Sequence, residues 1–207
     1  MIHVVVVLQN QGAWLLDMLE TLQWVLQKAQ DDRVALVLVD YLSTDLDVRR
    51  ALHHSGLPRT TYIAAEGAFS KAEGLALGAA SVTNPSDIVF TFDLHITIPL
   101  DLFERVRQGT IRGRTGFNPI VARLDCGAFP SEPRGFWELY GYGLLSVYKA
   151  DFDETQGYKG LEGMTEWGKE DTYRASRMLS HGYECTRERV RGFFHCKSPT
   201  CRSAAYI

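Results

Sequence analysis

The residues best suited to chemistry are Asp93 and His95, two apart in Phe92-Asp93-Leu94-His95-Ile96-Thr97, which follows the apolar run Ile88-Val89-Phe90-Thr91. A buried strand that ends in a carboxylate and an imidazole at this spacing projects both to one side of the chain. Asp oxygen with His nitrogen suits a borderline divalent cation such as Mn²⁺ or Zn²⁺ better than Ca²⁺, which prefers oxygen alone. Two such side chains do not fix a metal, and hydrogen bonding into a strand-end loop is the plain alternative. A third ligand could come from His195, which closes the short apolar strand Val190-Arg191-Gly192-Phe193-Phe194-His195. The alternative for His195 is a core imidazole with a satisfied hydrogen bond.

Carboxylates for proton transfer stand in Glu166-Trp167-Gly168-Lys169-Glu170-Asp171, at the start of a helical pattern. Acids at a helix start often only offset orphan N–H groups and the positive dipole end, worth roughly 0.5 to 1 kcal/mol. Here Trp167 precedes Glu170 and Asp171 at helical spacing, so indole and acids can border one pocket, as proteins commonly hold a sugar. One of the acids could serve as a general base. Phe69-Ser70-Lys71 puts an aromatic and a cation at another helix start, where dipole and ammonium both attract anions; a solvent-facing lysine is the default alternative. In Tyr140-Gly141-Tyr142-Gly143 the glycines let backbone approach a ligand closely, or simply allow a tight strand entry.

These residues need elements to position them. Met1 to Leu8 is a β-branched run of the kind buried on both faces in a parallel sheet. A helix is predicted over Gly12 to Ala29, a strand over Val34 to Val39 ending at Asp40, a short helix over Leu46 to His54 and a strand over Thr60 to Ile63. A helix over Phe69 to Ser81 and a strand over Ile88 to Phe92 complete a βαβ alternation, which implies an α/β fold with a parallel sheet and ligands at the carboxyl ends of its strands. Asn10, Asp40, Asp93 and His95 lie at such ends. Beyond Pro99 the pattern predicts a helix to about Gln108, a strand over Gly116 to Arg123, a loop from Cys126 to Trp137 and a strand over Gly143 to Tyr148. A helix over Glu170 to His181 and two short strands near Glu184 to Arg187 and Val190 to His195 follow. The whole reads as one domain, residues 1–207.

Composition narrows the function. The 207 residues, 45% hydrophobic and 23% charged, are ordinary for a globular domain with a real core. A net charge of −3 argues against a nucleic-acid partner, because no basic excess exists to neutralise phosphates. No run approaches the roughly 18 to 20 apolar residues of a membrane span, and no basic n-region marks a signal peptide. Cys126, Cys185, Cys196 and Cys201 form no C-x-x-C pair, so a zinc knuckle is not expected. Disulfides within the carboxyl-terminal cluster and free buried thiols are both compatible with the spacing.

In this order, VDYLSTDLDVRRAL, AFSKAEGLALGAA, IVFTFDLHITIP, GFWELYGYGLLSVYKADF, WGKEDTYR and VRGFFH resemble blocks of the metazoan chondroitin N-acetylgalactosaminyltransferase and β-1,4-galactosyltransferase superfamily. The likeness covers nearly the whole chain. The D-L-H form looks most like the β-1,4-N-acetylgalactosaminyltransferases that make LacdiNAc, GalNAc added to terminal GlcNAc; chondroitin enzymes usually carry D-x-D there. The resemblance implies a GT-A fold with a nucleotide-binding half over about 1–98 and an acceptor-binding half over about 99–207. It also implies a UDP-sugar donor, Mn²⁺ and inversion at the anomeric carbon. Residue by residue, His95 and His195 match metal ligands and Asp93 matches a ligand to the metal shell or ribose. Asp171 matches the acceptor-side base, with Trp167, Gly168 and Glu170 lining the acceptor pocket. Asn10, Asp40 and Lys71 fall on the uridine and diphosphate, and Gly143 near the donor phosphate or sugar. Residence in the Golgi lumen is implied, with any anchor outside these residues, or the cytoplasm for a bacterial source; a homodimer is left open. Two departures stand out: Lys169 replaces the second glycine of the family's W-G-G-E-D, and the chain stops soon after His195 without the usual extension. A galactosyltransferase, a glucuronic-acid-directed enzyme, an inert glycan-binding partner and a metal-dependent hydrolase of the UDP-sugar are the rival readings.

Overall fold

The computed structural model describes residues 1–164 and 168–198. The opening apolar run forms β1 (Ile2–Leu8), which pairs in parallel with β2 (Val34–Asp40) on one side and β4 (Ile88–Thr91) on the other. Beyond β2 lies β3 (Thr60–Ala64), also parallel. Strands β1, β2 and β4 read as largely apolar runs because both faces are covered, whereas β3, at the sheet edge, is mostly exposed. Ile2, Val4, Val6 and Leu8 join one core with α1 (Gly12–Ala29) and α2 (Val48–His54), while Val5 and Val37 join a second with α3 (Lys71–Ala80). Alternate residues of a strand serve opposite faces, so the sheet is the middle of three layers.

Helix α3 presents Lys71 in its first turn. Ser70 caps it, accepting from the Glu73 N–H at 3.3 Å, so the helix starts at Lys71 rather than Phe69. A cap of this kind is worth about 1 kcal/mol. Gly74 and Gly78 let the helix lie close on β1: a Cβ would stand 2.5 Å from Val7 Cγ1 at the first and 2.3 Å from Val5 Cγ1 at the second.

The second half comprises α4 (Leu102–Gly109), β5 (Thr115–Leu124), β6 (Gly135–Trp137), β7 (Ser146–Tyr148), α5 (Lys149–Glu154), α6 (Lys169–Ser180) and β8 (Glu184–His195). The sheet runs β3-β2-β1-β4-β7-β5-β6, with β8 paired to β5. It is mostly parallel on one side and mixed on the other, since β7 is antiparallel to β4 and β5 while β8 is parallel to β5.

Several sequence expectations need correction here. The Cys126 to Trp137 loop ends in the strand β6, too short to show a period. The strand expected from Gly143 starts only at Ser146, because Gly143 and Leu145 bond the Thr91 side chain instead. The six-residue α5 was not foreseen and is shorter than any periodicity can reveal. The two short carboxyl-terminal strands are one, β8, whose pairing with β5 shifts between Ile120 and Ala122; Gly192, at φ +79°, lies in the displaced stretch. Cys126 and Cys185 are free thiols, the first exposed and the second partly buried, and Cys201 lies outside the described residues. Among the described residues no helix is long and apolar enough to cross a membrane.

Candidate active site

The segment after β4 is laced to the end of β8, and that lacing builds the site. The Thr97 N–H donates to the Phe194 carbonyl at 2.9 Å, the Phe194 N–H to Thr97 Oγ1 at 2.8 Å, and the Cys196 N–H to the His95 carbonyl at 2.8 Å. The imidazoles of His95 and His195, a hundred residues apart in sequence, therefore stack with ring centroids 5.8 Å apart. Trp14, from the first turn of α1, meets the His95 ring edge-on at 4.5 Å.

Lys71, in the first turn of α3, reaches across to Asp93 Oδ1 at 3.0 Å and Glu170 Oε1 at 3.6 Å. Burial alone would lower the Lys71 pKa, but Asp93, Asp171 and Glu170 more than offset it and hold the ammonium charged well above its ordinary value. Burial works against the Asp93 carboxylate too, yet Lys71 outweighs it and keeps Asp93 ionised below the usual range. Asp171 goes the other way. Its burial, aided by the negative charges of Glu170 and Asp93, pushes its pKa up to about 7 despite Lys71. Asp171 Oδ1 is buried without a hydrogen-bond partner among the described residues. Glu170 is buried, and its Oε2 accepts from the Gly168 N–H at 3.0 Å, so its role in shaping the helix start is visible.

Gly143 sits against Asp171: a Cβ there would lie 3.0 Å from Asp171 Oδ2. Any larger residue would crowd the carboxylate. One cavity of about 440 Å³ is lined by Asp171, Gly168, Gly143, Lys71, Asp93 and His195 together with Arg123, Glu138, Tyr140 and Phe136. A second, of about 600 Å³, is lined by Gln11, Trp14, Phe69 and His95 and shares Lys71, Asp93, Arg123 and His195 with the first. The two are halves of one cleft that meet at those four shared side chains.

Asn10 and Asp40 line neither cavity. Asp40 is buried, with Oδ1 accepting from the Ser43 N–H at 3.0 Å and the Ser43 hydroxyl at 2.6 Å, and Oδ2 from the Tyr62 hydroxyl at 3.0 Å. Asn10, at φ +52°, accepts from the Thr44 N–H at 2.8 Å. Both tie down the loop between β2 and α2. Trp167 lies outside the described residues. Arg123 was missed by sequence reasoning: it stands at the carboxyl end of β5, in register with His195 on parallel β8, and pairs with Glu138 at 2.9 Å, contacts that local spacing does not show.

The histidines fit a cation. Burial, with Arg123 and His95 nearby, pushes the His195 pKa down to about 4, so the ring is neutral, as a ligand must be. Its Nδ1 is buried without a hydrogen-bond partner among the described residues. Asp93 instead faces Lys71, and no three His, Cys, Asp or Glu among the described residues converge on one metal-sized point. What the chain offers a cation is thus the His95–His195 pair, with an ionised Asp93 alongside and room for ligands from a bound molecule.

Comparison with known proteins bears on this site. Residues 2–190 match the model of a family described as chondroitin N-acetylgalactosaminyltransferase. The chain is 38% identical over 195 residues to N-acetyl-beta-glucosaminyl-glycoprotein 4-beta-N-acetylgalactosaminyltransferase 1 of Mus musculus, covering 94% of this chain and 19% of that protein. It is 26% identical to chondroitin sulfate N-acetylgalactosaminyltransferase 1 of Homo sapiens, covering 80% of this chain and 35% of the relative. The chain therefore spans well under half the length of these relatives. Among solved structures, S. aureus TarS in complex with UDP matches with a TM-score of 0.67 at 11% identity, over 99% of this chain and 62% of that one. A mannosyltransferase from Pyrobaculum calidifontis in complex with GDP-Man and Mn²⁺ matches with a TM-score of 0.68 at 14% identity, over 98% and 59%. These likenesses show the fold, which is GT-A.

Proposed function

Because the chain belongs to the chondroitin N-acetylgalactosaminyltransferase family, we propose that it moves GalNAc from UDP-GalNAc to the 4-hydroxyl of a terminal β-GlcNAc, with inversion and with a divalent cation such as Mn²⁺. The observation that carries this is the convergence of Asp171, Lys71, Asp93 and His195 on one cleft, with an acid whose proton affinity suits a base near neutrality. The preference for GalNAc onto GlcNAc rests on the 38% identity to the mouse enzyme, against 26% to a chondroitin enzyme.

In this reading the half lined by Gln11, Trp14 and Phe69 takes the nucleotide, and the half lined by Asp171, Phe136 and Tyr140 takes the acceptor. Residues before about 98 build most of the donor side, while His195 and Arg123 join it from the acceptor half. His95 and His195 would hold the cation, with Asp93 beside them, and a cation held there would supply positive charge to offset that of the diphosphate. Lys71 adds a positive charge at the helix start, where phosphate oxygens are favoured. Asn10 and Asp40 act through the loop they tie down. Asp171 accepts the proton of the acceptor hydroxyl as its oxygen bonds to the anomeric carbon and the bond from that carbon to the diphosphate breaks. A single displacement needs no second carboxylate as nucleophile. Glu170 and Gly168 shape the acceptor side with Trp167, and Gly143 leaves space between Asp171 and the transferred sugar. The family relationship also favours a Golgi-lumenal setting.

Incubation with UDP-GalNAc, Mn²⁺ and separate β-GlcNAc and glucuronic-acid acceptors tests the reading. A disaccharide product on GlcNAc is expected. Product only on glucuronic acid would move the chain to chondroitin chemistry, free GalNAc without acceptor capture would make it a hydrolase, and UDP binding without product would make it an inert binder.

A further inference from the structure

We propose that Arg187 is a positioning residue for the transfer reaction, holding the 138–143 loop as the acceptor wall of the cleft. The inference rests on the transfer reading of that cleft. Arg187 lies in the first half of β8, and its guanidinium gathers contacts from several stretches of chain. Nε donates to Asn118 Oδ1 at 2.7 Å, Nη2 to the Gly141 carbonyl at 2.6 Å and the Glu138 carbonyl at 3.5 Å, and Nη1 to the Leu139 carbonyl. The guanidinium also lies 4.3 Å from the centroid of the Tyr142 ring, over its face. Asn118, fully buried on β5, carries the tie onward by donating to the Leu144 carbonyl at 2.6 Å.

The loop has little apolar anchorage of its own. Leu139 is exposed and Tyr140 is 86% exposed, so side-chain burial cannot fix its path. Yet Glu138, Tyr140, Gly141 and Gly143 all line the cavity that contains Asp171, and a Cβ at Gly143 would stand 3.0 Å from that carboxylate. A planar fork that binds three carbonyls and an amide oxygen at once sets a backbone path in a way a single ammonium cannot. Misplacing a bound sugar by about 1 Å can cost on the order of 10²-fold in rate. Arg187 is not itself among the residues that line either half of the cleft, so its effect passes through the loop it holds.

The test uses Arg187→Lys and Arg187→Met in the full chain. Chymotrypsin cleavage after Tyr140 or Tyr142, followed by fragment mass, should be about tenfold faster in both variants than in wild type, because exposed loops are cut in proportion to their local opening. The KM for the acceptor should rise about tenfold while the KM for the donor stays within about twofold. The lysine variant should fail to rescue, since charge without the fork does not bind the carbonyls. Unchanged cleavage, or donor and acceptor KM rising together, overturns the proposal. If wild type transfers no sugar to any acceptor, the transfer reading falls and the positioning role with it, while cleavage still decides whether Arg187 clamps the loop.

Discussion

Asp171 carries two opposed demands. A base must be deprotonated to act, but burial and the neighbouring acids raise its pKa to about 7, far above the ordinary carboxylate value near 3.9. The folded state thus binds its proton more tightly than the unfolded state, so its contribution to stability is present at low pH and is lost as pH rises through about 7. Asp171→Asn should lower transfer by about 10²-fold or more while leaving UDP affinity nearly unchanged. Without added cation, the same variant should gain thermal stability over wild type as pH rises from 5 to 8; a melting difference that is flat across that range would refute the buried-base assignment. The histidines make a separate prediction. His95→Ala and His195→Ala should each weaken Mn²⁺ binding measured by calorimetry with UDP present, by about tenfold or more. Unchanged affinity in the His95 variant would return that residue to a ring packed on Trp14. Asp93 and His95 were legible as residue types at a strand end. Arg123 was not, because its partners Glu138 and His195 come from elements distant in sequence.

At the scale of elements, the donor side depends on how closely α3 approaches β1. Gly78→Ala would gain roughly 1 kcal/mol of helix propensity, but the new Cβ would stand 2.3 Å from Val5 Cγ1. Overpacking of that kind costs about 1 to 3 kcal/mol, so the clash should win. Urea unfolding should show net destabilisation, and the KM for the donor should rise more than that for the acceptor, since Lys71 rides on the same helix. Adding Val5→Ala should restore much of both; a double variant no better than the single would locate the fault elsewhere. The buried parallel strands and long helices were legible because burial on two faces leaves an unbroken apolar run and burial on one face leaves a helical period. Strands β6 and β7 and helix α5 were not, since three to six residues hold too few repeats, and β8 was read as two strands because the charged run Arg187-Glu188-Arg189 interrupts its apolar pattern.

At the scale of the whole molecule, the cleft should couple ligand to stability. A nucleotide held at about a hundred times its Kd stabilises the fold by about 2.7 kcal/mol. UDP with Mn²⁺ should therefore raise the melting temperature clearly more than GDP with Mn²⁺, and equal shifts would argue against a uridine-specific donor side. The α/β class, the strand–helix alternation of the first hundred residues and the identity of the reactive side chains were determined by the sequence itself, because hydrophobic pattern and residue chemistry are local properties. Only the tertiary structure decided which of those side chains share a space. It turned Asp93 toward Lys71, stacked His95 on His195 across a hundred residues, left Asp40 holding a loop, and set Gly143 against Asp171. Those outcomes depend on the pairing of β8 with β5 and the lacing of its end to the Asp93–Thr97 segment, and on α3 packing against β1. Such long-range contacts have no signature in local spacing.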